Sequence, residues 1–149
     1  MSMARIKISC PKRPSFYTEI PVLIGAVNYG GHLGNDAVLS IMHEARMRFL
    51  NALGCSEKEA FGTGLIMADA AIAYKSEGFY RDVLSVGVVA YDIGGVGFDL
   101  FYELSCKRDN EQLIIAQAKT GMVCFDYQKR KTARIPDKLK NALEKEELI

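Results

Sequence analysis

The chain has 149 residues, a length typical of one compact domain around a single hydrophobic core. Lysine plus arginine number 19 and aspartate plus glutamate 18, a near balance that argues against a dedicated nucleic-acid binder. No apolar stretch approaches the roughly 18–20 residues that span a bilayer, so we expect no membrane segment. The first residues lack the apolar core of a signal peptide, which makes the cytoplasm the expected location.

The cysteines are too far apart in sequence to suggest a metal or redox site. Cys10, Cys55, Cys106 and Cys124 are separated by 45, 51 and 18 residues, unlike a zinc knuckle or a redox dithiol. The chain has only 2 histidines to add as ligands. We therefore expect reduced, buried thiols, no metal ion and no other cofactor.

The first half of the chain predicts a strand, a glycine-rich loop and a long helix. Residues 1–15 contain two prolines and predict an irregular segment, whereas residues 16–27 are apolar and β-branched, as in a strand. Residues 28–36 include three glycines, which is typical of a loop. Residues 37–53 follow the helical period, with one apolar stripe made of Val38, Met42, Ala45, Phe49 and Leu53.

The residues around this helix are those that begin and end helices. Asn35 or Asp36 can supply the N-cap oxygen, and Gly54 follows where a left-handed residue often ends a helix. Ser56 and Glu59 have the spacing of a capping box, which predicts one further helical turn.

The second half of the chain predicts four successive strands and a terminal helix. Ile66, Ala68, Ala70, Ile72 and Tyr74 would share one face of the first of these strands, which spans about 65–77. Further strands are predicted at about 82–92, 98–105 and 113–125, with a hairpin turn at 108–110, a bulge or close approach at Gly121 and a helix over 136–149. The prediction is an α+β domain over residues 1–149, with one long helix against a five-stranded antiparallel sheet.

Two segments resemble a known family. Residues 20–50, IPVLIGAVNYGGHLGNDAVLSIMHEARMRFL, are similar to the opening of hotdog-fold acyl-CoA thioesterases of the 4-hydroxybenzoyl-CoA thioesterase-like family. Matching elements include Gly31-His32, Asn35, Leu39 and Glu44-Ala45-Arg46. The tail of the last strand, GMVCFDYQKRKTARIP, also resembles that family, and the likeness covers roughly residues 16–140.

This resemblance implies a central helix wrapped by the sheet, in a homodimer or homotetramer whose active sites lie between subunits. The family polarises the thioester carbonyl with a backbone N–H at the start of the helix, which corresponds to Gly34 and Asn35. The unpaired, partly positive N–H groups of a helix N-terminus suit a developing oxyanion on physical grounds as well.

The chain departs from the family at its catalytic position. Members commonly have an aspartate where this chain has Asn28, and many have a tyrosine at Val38. An amide is neither a base nor a good nucleophile, so Asn28 would hold water or the thioester oxygen. Two neighbouring residues can act as the base, Asp36 and His32. The alternatives are that Asp36 only caps the helix and that His32 only orders the loop.

Four other charged residues are weaker candidates. Glu44 could be a catalytic helix carboxylate, but an ion pair with Arg48 at i+4 is the simpler interpretation. Lys75, Arg81 and Arg134 could contact the phosphates of coenzyme A, or belong to solvated turns.

The function that these residues favour is hydrolysis of an acyl-CoA thioester to the free acid and coenzyme A. The alternative is a hotdog module that binds acyl-CoA or an acyl-carrier protein without hydrolysis. A hotdog hydratase or dehydratase is the third possibility, although the loop lacks the acid–base pair typical of those enzymes.

Overall fold

The computed structural model describes residues 5–145, which form a six-stranded antiparallel sheet and two α-helices. The elements are β1 Phe16–Pro21, α1 Asn35–Ala52, β2 Gly64–Tyr74, β3 Val83–Tyr91, β4 Gly97–Arg108, β5 Glu111–Asp126, β6 Lys131–Thr132 and α2 Asp137–Lys145. The strands follow the order β1-β3-β4-β5-β2 across the sheet, with the short β6 beside the end of β5. The α+β prediction is confirmed, but the sheet has a sixth strand, of two residues, in addition to the five that were predicted.

Helix α1 packs against one face of the sheet, and this contact forms the core. Of the predicted stripe, all members are buried except Leu53, which is half-buried at the end of the helix. The ring of Phe49 meets that of Phe16 edge-on, with 5.6 Å between centroids. Each fully buried apolar side chain contributes about 1.5–3 kcal/mol, so this stripe holds the helix on the sheet. The opposing strands supply Val86, Val88, Leu100, Leu104, Ala116 and Ala118.

A buried polar network also joins α1 to the sheet. Arg46 donates from Nη1 to the Tyr102 hydroxyl at 3.1 Å and from Nε to Glu57 Oε1 at 3.2 Å. The Tyr102 hydroxyl is 2.7 Å from the Thr120 hydroxyl, and both residues are fully buried. Burial raises the pKa of Tyr102, against the opposing effect of Arg46. Tyr102 therefore stays neutral and satisfies two partners at once.

The first strand is shorter than predicted. It ends at Pro21, and residues Ile24–Ala26 form a single 3-10 turn where the sequence analysis extended the strand to Val27. The hydrogen bonds to the β3 side continue one residue further, since the Val22 N–H donates to the Asp82 carbonyl at 2.8 Å, and the chain then turns through Ile24–Ala26.

The helix caps also differ from the prediction. The N-cap is Gly34, with no side-chain cap, so neither Asn35 nor Asp36 fills that position. Gly54 has φ of +87°, which confirms the left-handed C-terminal residue. Ser56 Oγ accepts the Glu59 N–H at 3.1 Å, as in a capping box, but no helical turn forms at 56–59 and the Ser56 N–H instead donates to the Glu59 carbonyl.

A bulge in β2 changes which residues face the helix. The pairing with β5 shifts between Met67 and Asp69, so Ala68 is the extra residue. Leu65, which precedes the bulge, is buried in the core, and Ile72, which follows the bulge, packs against the same core. The single face predicted from Ile66 to Tyr74 is therefore wrong in its first part. Gly121 lies opposite Asp69, and the Asp69 carboxylate approaches its backbone closely, as expected from the glycine.

The β4–β5 hairpin turns at Asp109 and Asn110, both with positive φ, as predicted. Residues 5–15 form no helix or strand, and the predicted terminal helix is observed over Asp137–Lys145. Residues 1–4 and 146–149, which belong to those two predicted segments, lie outside the described residues. Within 5–145 no helix is long and apolar enough to cross a membrane.

Candidate active site

A cleft of about 480 Å³ opens where the glycine-rich loop, the start of α1 and the end of β2 meet. Leu33, Val38 and Ile115 form its apolar floor. Its polar lining combines predicted and unpredicted residues: Asn28, His32, Asn35, Lys75, Ser76 and Glu77. The sequence analysis placed Asn28, His32 and Asn35 together, and the structure does so too.

Asn28 organises the loop with its side-chain oxygen. Oδ1 accepts the N–H groups of Gly30 at 3.0 Å and His32 at 3.2 Å. The main chain of Asn28 pairs with the same turn, since its N–H donates to the His32 carbonyl at 2.8 Å. An asparagine here therefore fixes the backbone on which His32 is carried.

The start of α1 offers one backbone donor of the two predicted. The Gly34 N–H donates to the Ala26 carbonyl at 2.9 Å and is occupied in the folded chain. Asn35 is the first helical residue, and N–H groups of a first turn have no acceptor within the helix. Its carbonyl, in contrast, accepts the Tyr74 hydroxyl at 2.9 Å. Of the two predicted donors, Asn35 is therefore the one whose N–H has no acceptor within the helix, and it lines the cleft.

Asp36 lines a different cleft from Asn28. This second cleft, of about 400 Å³, is mostly apolar and lies between α1 and the end of β1. The two side chains nevertheless approach the same point beside Gly34: a Cβ placed on Gly34 would lie 2.6 Å from Asp36 Oδ1 and 3.7 Å from Asn28 Cβ. Asp36 is therefore close to Asn28 although it lines the second cleft, and the pairing of the two residues remains a prediction.

His32 has a carboxylate partner that the sequence analysis missed. Its Nδ1 is 3.3 Å from Glu77 Oε2, and its ring lies 5.7 Å from the ring of Phe79. Glu77 follows the end of β2, 45 positions away, so no local pattern could have indicated the contact. The side chain of His32 is 33% exposed, which leaves it accessible from the cleft.

The basic candidates are distributed over the molecule. Lys75 lines the main cleft, whereas Arg81 lines a separate surface cleft beside Asp82 and Lys107. Arg134 follows β6, at the opposite end of β5 from the cleft. Within one chain, only Lys75 is therefore placed to meet a ligand of the main cleft.

Glu44 makes the ion pair that the i+4 spacing predicted, with its Oε2 2.8 Å from Arg48 Nε. It also lines the second cleft, on the same side of the helix as Asp36. Between residues 5 and 145 there is no group of three or more His, Cys, Asp or Glu side chains arranged to hold a metal ion.

Comparisons with known proteins agree with this architecture. The sequence model of the family described as "Thioesterase-like superfamily" matches residues 22–143. A curated 1,4-dihydroxy-2-naphthoyl-CoA hydrolase from Nostoc punctiforme is 27% identical over 110 residues, which are 72% of each chain.

Solved structures give the same fold. A 1,4-dihydroxy-2-naphthoyl-CoA thioesterase from Synechocystis superposes with a TM-score of 0.76 at 23% identity, covering 86% of this chain and 94% of its own. A Staphylococcus aureus protein in complex with CoA gives a TM-score of 0.76 at 19% identity, covering 91% and 86%. The hotdog fold is confirmed.

Proposed function

This chain belongs to the thioesterase-like superfamily, and we propose that it hydrolyses an acyl-CoA thioester in the cleft at the start of α1. The class predicted from the sequence, a thioester hydrolase, is confirmed by this membership and agrees with the curated relative. The roles of individual residues, the assembly and the location given below are our proposal.

The observation that carries the mechanism is that a base and an oxyanion donor border one cleft. His32 and Asn35 both line it, on either side of the Gly34 backbone turn. We assign His32 Nε2 to take the proton of an attacking water, and the Asn35 N–H to hold the carbonyl oxygen as it becomes negative. Asn28, in the same cleft, holds the water through its amide N–H groups.

The reaction then needs no further group. The water oxygen bonds to the carbonyl carbon, its proton moves to His32, and the tetrahedral oxyanion is held by Asn35. When that intermediate collapses, the C–S bond breaks and coenzyme A leaves as a thiolate, which takes up a proton in water or from His32. We propose that no metal or redox cofactor takes part. The ammonium of Lys75 is placed to meet a coenzyme A phosphate.

The second candidate base, Asp36, borders the neighbouring cleft. Comparing His32→Gln with Asp36→Asn therefore tells which of the two residues is the base. We expect purified protein to release thiol from an acyl-CoA panel that begins with aromatic thioesters, the class named for the curated relative. His32→Gln should lower kcat by about 10²–10³, the usual contribution of a general base. Asp36→Asn should stay within a few-fold of wild type.

Three results would contradict this proposal. Tight acyl-CoA binding without thiol release would establish a non-hydrolytic binding module for acyl-CoA or acyl-carrier protein. Loss of the conjugated absorbance of an enoyl-CoA, with no thiol released, would establish a hydratase. A large loss in Asp36→Asn with none in His32→Gln would make Asp36 the base.

We propose that the chain forms a homo-oligomer through β2. This strand of 11 residues lies at the edge of the sheet, and Met67, Ala68, Asp69 and Ala70 are exposed. A long, exposed edge strand is a template for pairing with a second strand. Because Tyr74 at the end of β2 lines the cleft, a partner strand there would lie beside the active site.

The assembly is tested by light scattering on the full chain. We expect a dimer or a dimer of dimers for wild type. Ala70→Lys, which puts a charge on the edge, should give smaller species with reduced kcat/KM. A monomeric wild type with full activity would contradict this part of the proposal.

We place the protein in the cytoplasm. All four cysteines are free, as is usual in a reducing compartment. Fractionation of cells that produce the protein, with detection by antibody, tests this placement.

A further inference from the structure

Resting on the proposed function, we infer that Glu77 is a positioning residue that orients His32 as the base, and that Arg108 holds Glu77 in place. The contact joins the two loops on either side of the cleft. His32 belongs to the loop before α1, and Glu77 to the loop between β2 and β3.

The contact with Glu77 selects which nitrogen of His32 is basic. Glu77 Oε2 lies 3.3 Å from His32 Nδ1, and a carboxylate, which can only accept hydrogen bonds, favours the imidazole tautomer that carries its hydrogen on the nitrogen facing it. In a neutral imidazole the lone pair then lies on Nε2. A Cβ placed on Gly30 would lie 3.9 Å from Nε2 and 3.5 Å from Asn28 Oδ1, so Nε2 and Asn28 border the same part of the cleft.

Two other contacts restrict the movement of His32. Its backbone N–H is held by Asn28 Oδ1, and the ring of Phe79 lies 5.7 Å from its own ring at 36°. The imidazole is thus bounded by the loop, an aromatic ring and a carboxylate. This is the arrangement of a base whose tautomer and direction are set by its neighbours.

Arg108 braces the loop that carries Glu77. From the end of β4, its Nη2 donates to the Glu77 carbonyl at 3.2 Å and forms an ion pair with Asp82. Asp82 Oδ2 in turn accepts the Phe79 N–H at 2.9 Å. The guanidinium carbon also lies 4.8 Å from the centre of the Phe79 ring. One arginine therefore fixes the backbone of Glu77 and the ring beside His32.

The exposure of Glu77 makes the inference testable. Its side chain is 63% exposed, and exposed ion pairs contribute little to stability. If the pair were only a surface contact, its removal should change neither stability nor activity. If Glu77 orients the base, its removal should lower kcat while the fold and substrate binding stay intact.

The experiment is a double-mutant cycle on the full-length protein. Glu77→Gln should lower kcat about tenfold or more, with KM and melting temperature near wild type. The same change in the His32→Gln background should have no further effect on kcat, because the group it orients is absent. Arg108→Met should also lower kcat. Glu59→Gln is the matched control: Glu59 accepts the Gly62 N–H at 2.7 Å, and this change should leave kcat unaltered.

The outcomes separate this inference from the proposed function. If His32→Gln retains wild-type kcat, the proposed base is wrong, whatever Glu77 does. If His32→Gln is inactive but Glu77→Gln keeps kcat within twofold of wild type, the positioning role is overturned. It is also overturned if Glu77→Gln lowers kcat equally with and without His32.

Discussion

The hydroxyl of Tyr74 donates a 2.9 Å hydrogen bond to the main-chain carbonyl of Asn35. This bond joins the last residue of the edge strand to the first residue of α1. The position of the proposed oxyanion donor is therefore tied to the strand on which we expect a second subunit to dock.

Tyr74→Phe tests this connection. Losing one hydrogen bond costs about 0.5–1.5 kcal/mol, so we expect kcat/KM to fall about fivefold and the free energy of unfolding by no more than that amount. Steady-state kinetics and denaturant unfolding measure the two effects. Tyr17→Phe, on the opposite edge strand, is the control and should change neither. Unaltered kinetics in Tyr74→Phe would show that the contact does not position Asn35.

Asn28 gives a prediction with two substitutions. Asn28→Asp keeps an oxygen for the Gly30 and His32 N–H groups and restores the carboxylate common among relatives, so activity should change but not disappear. Asn28→Ala removes the acceptor, which should cost about 1 kcal/mol of stability and lower kcat. Thiol release and thermal unfolding check both. A folded Asn28→Asp variant that binds substrate but turns over none would remove Asn28 from the water site.

Gly97 gives a prediction about stability. A Cβ there would overlap the Met122 carbonyl oxygen, which belongs to the rigid backbone of the neighbouring strand. We expect Gly97→Ala to lower the free energy of unfolding by about 1–3 kcal/mol, as overpacking does. The matched control is Gly25→Ala, where a Cβ meets nothing within 4 Å. Equal stability of the two variants would contradict the close packing of β4 against β5.

The buried thiols give a prediction about pH. Burial raises the pKa of Cys124 to about 11, and because the thiolate is the reactive form, a raised pKa lowers reactivity at neutral pH. In native protein we expect Cys124 to react with a disulfide reagent far more slowly than in denaturant at pH 8. The native rate should rise steadily as the pH approaches 11. Mass spectrometry identifies the labelled cysteine, and rapid native labelling of Cys124 at pH 8 would disprove the shift.

Local patterns predicted the helix and the hairpin because both depend on neighbouring residues. The residues that form the α1 stripe, and those that form the turn at Asp109 and Asn110, lie close together in the sequence. The bulge at Ala68 was missed because the alanines around it are small enough to fit either face of the strand.

The candidate site was predicted in part. The resemblance placed Asn28, His32 and Asn35 in one loop, and the structure brings them to one cleft. The contact between His32 and Glu77 depends on how two loops from distant parts of the chain meet, which periodicity does not encode. Sequence spacing also leaves undetermined that Asn28 lines one cleft and Asp36 the neighbouring one, because this depends on the path of the backbone through Gly34.

The Arg46–Tyr102 hydrogen bond has a consequence for how this fold can change its substrate. It anchors the middle of α1 to the sheet through directional polar contacts, while the Tyr74 bond anchors the beginning. A helix pinned at two points cannot slide or roll when an apolar neighbour is exchanged for one of a different size. The walls of the clefts can therefore diversify during evolution while the backbone donor at Asn35 stays where the chemistry requires it.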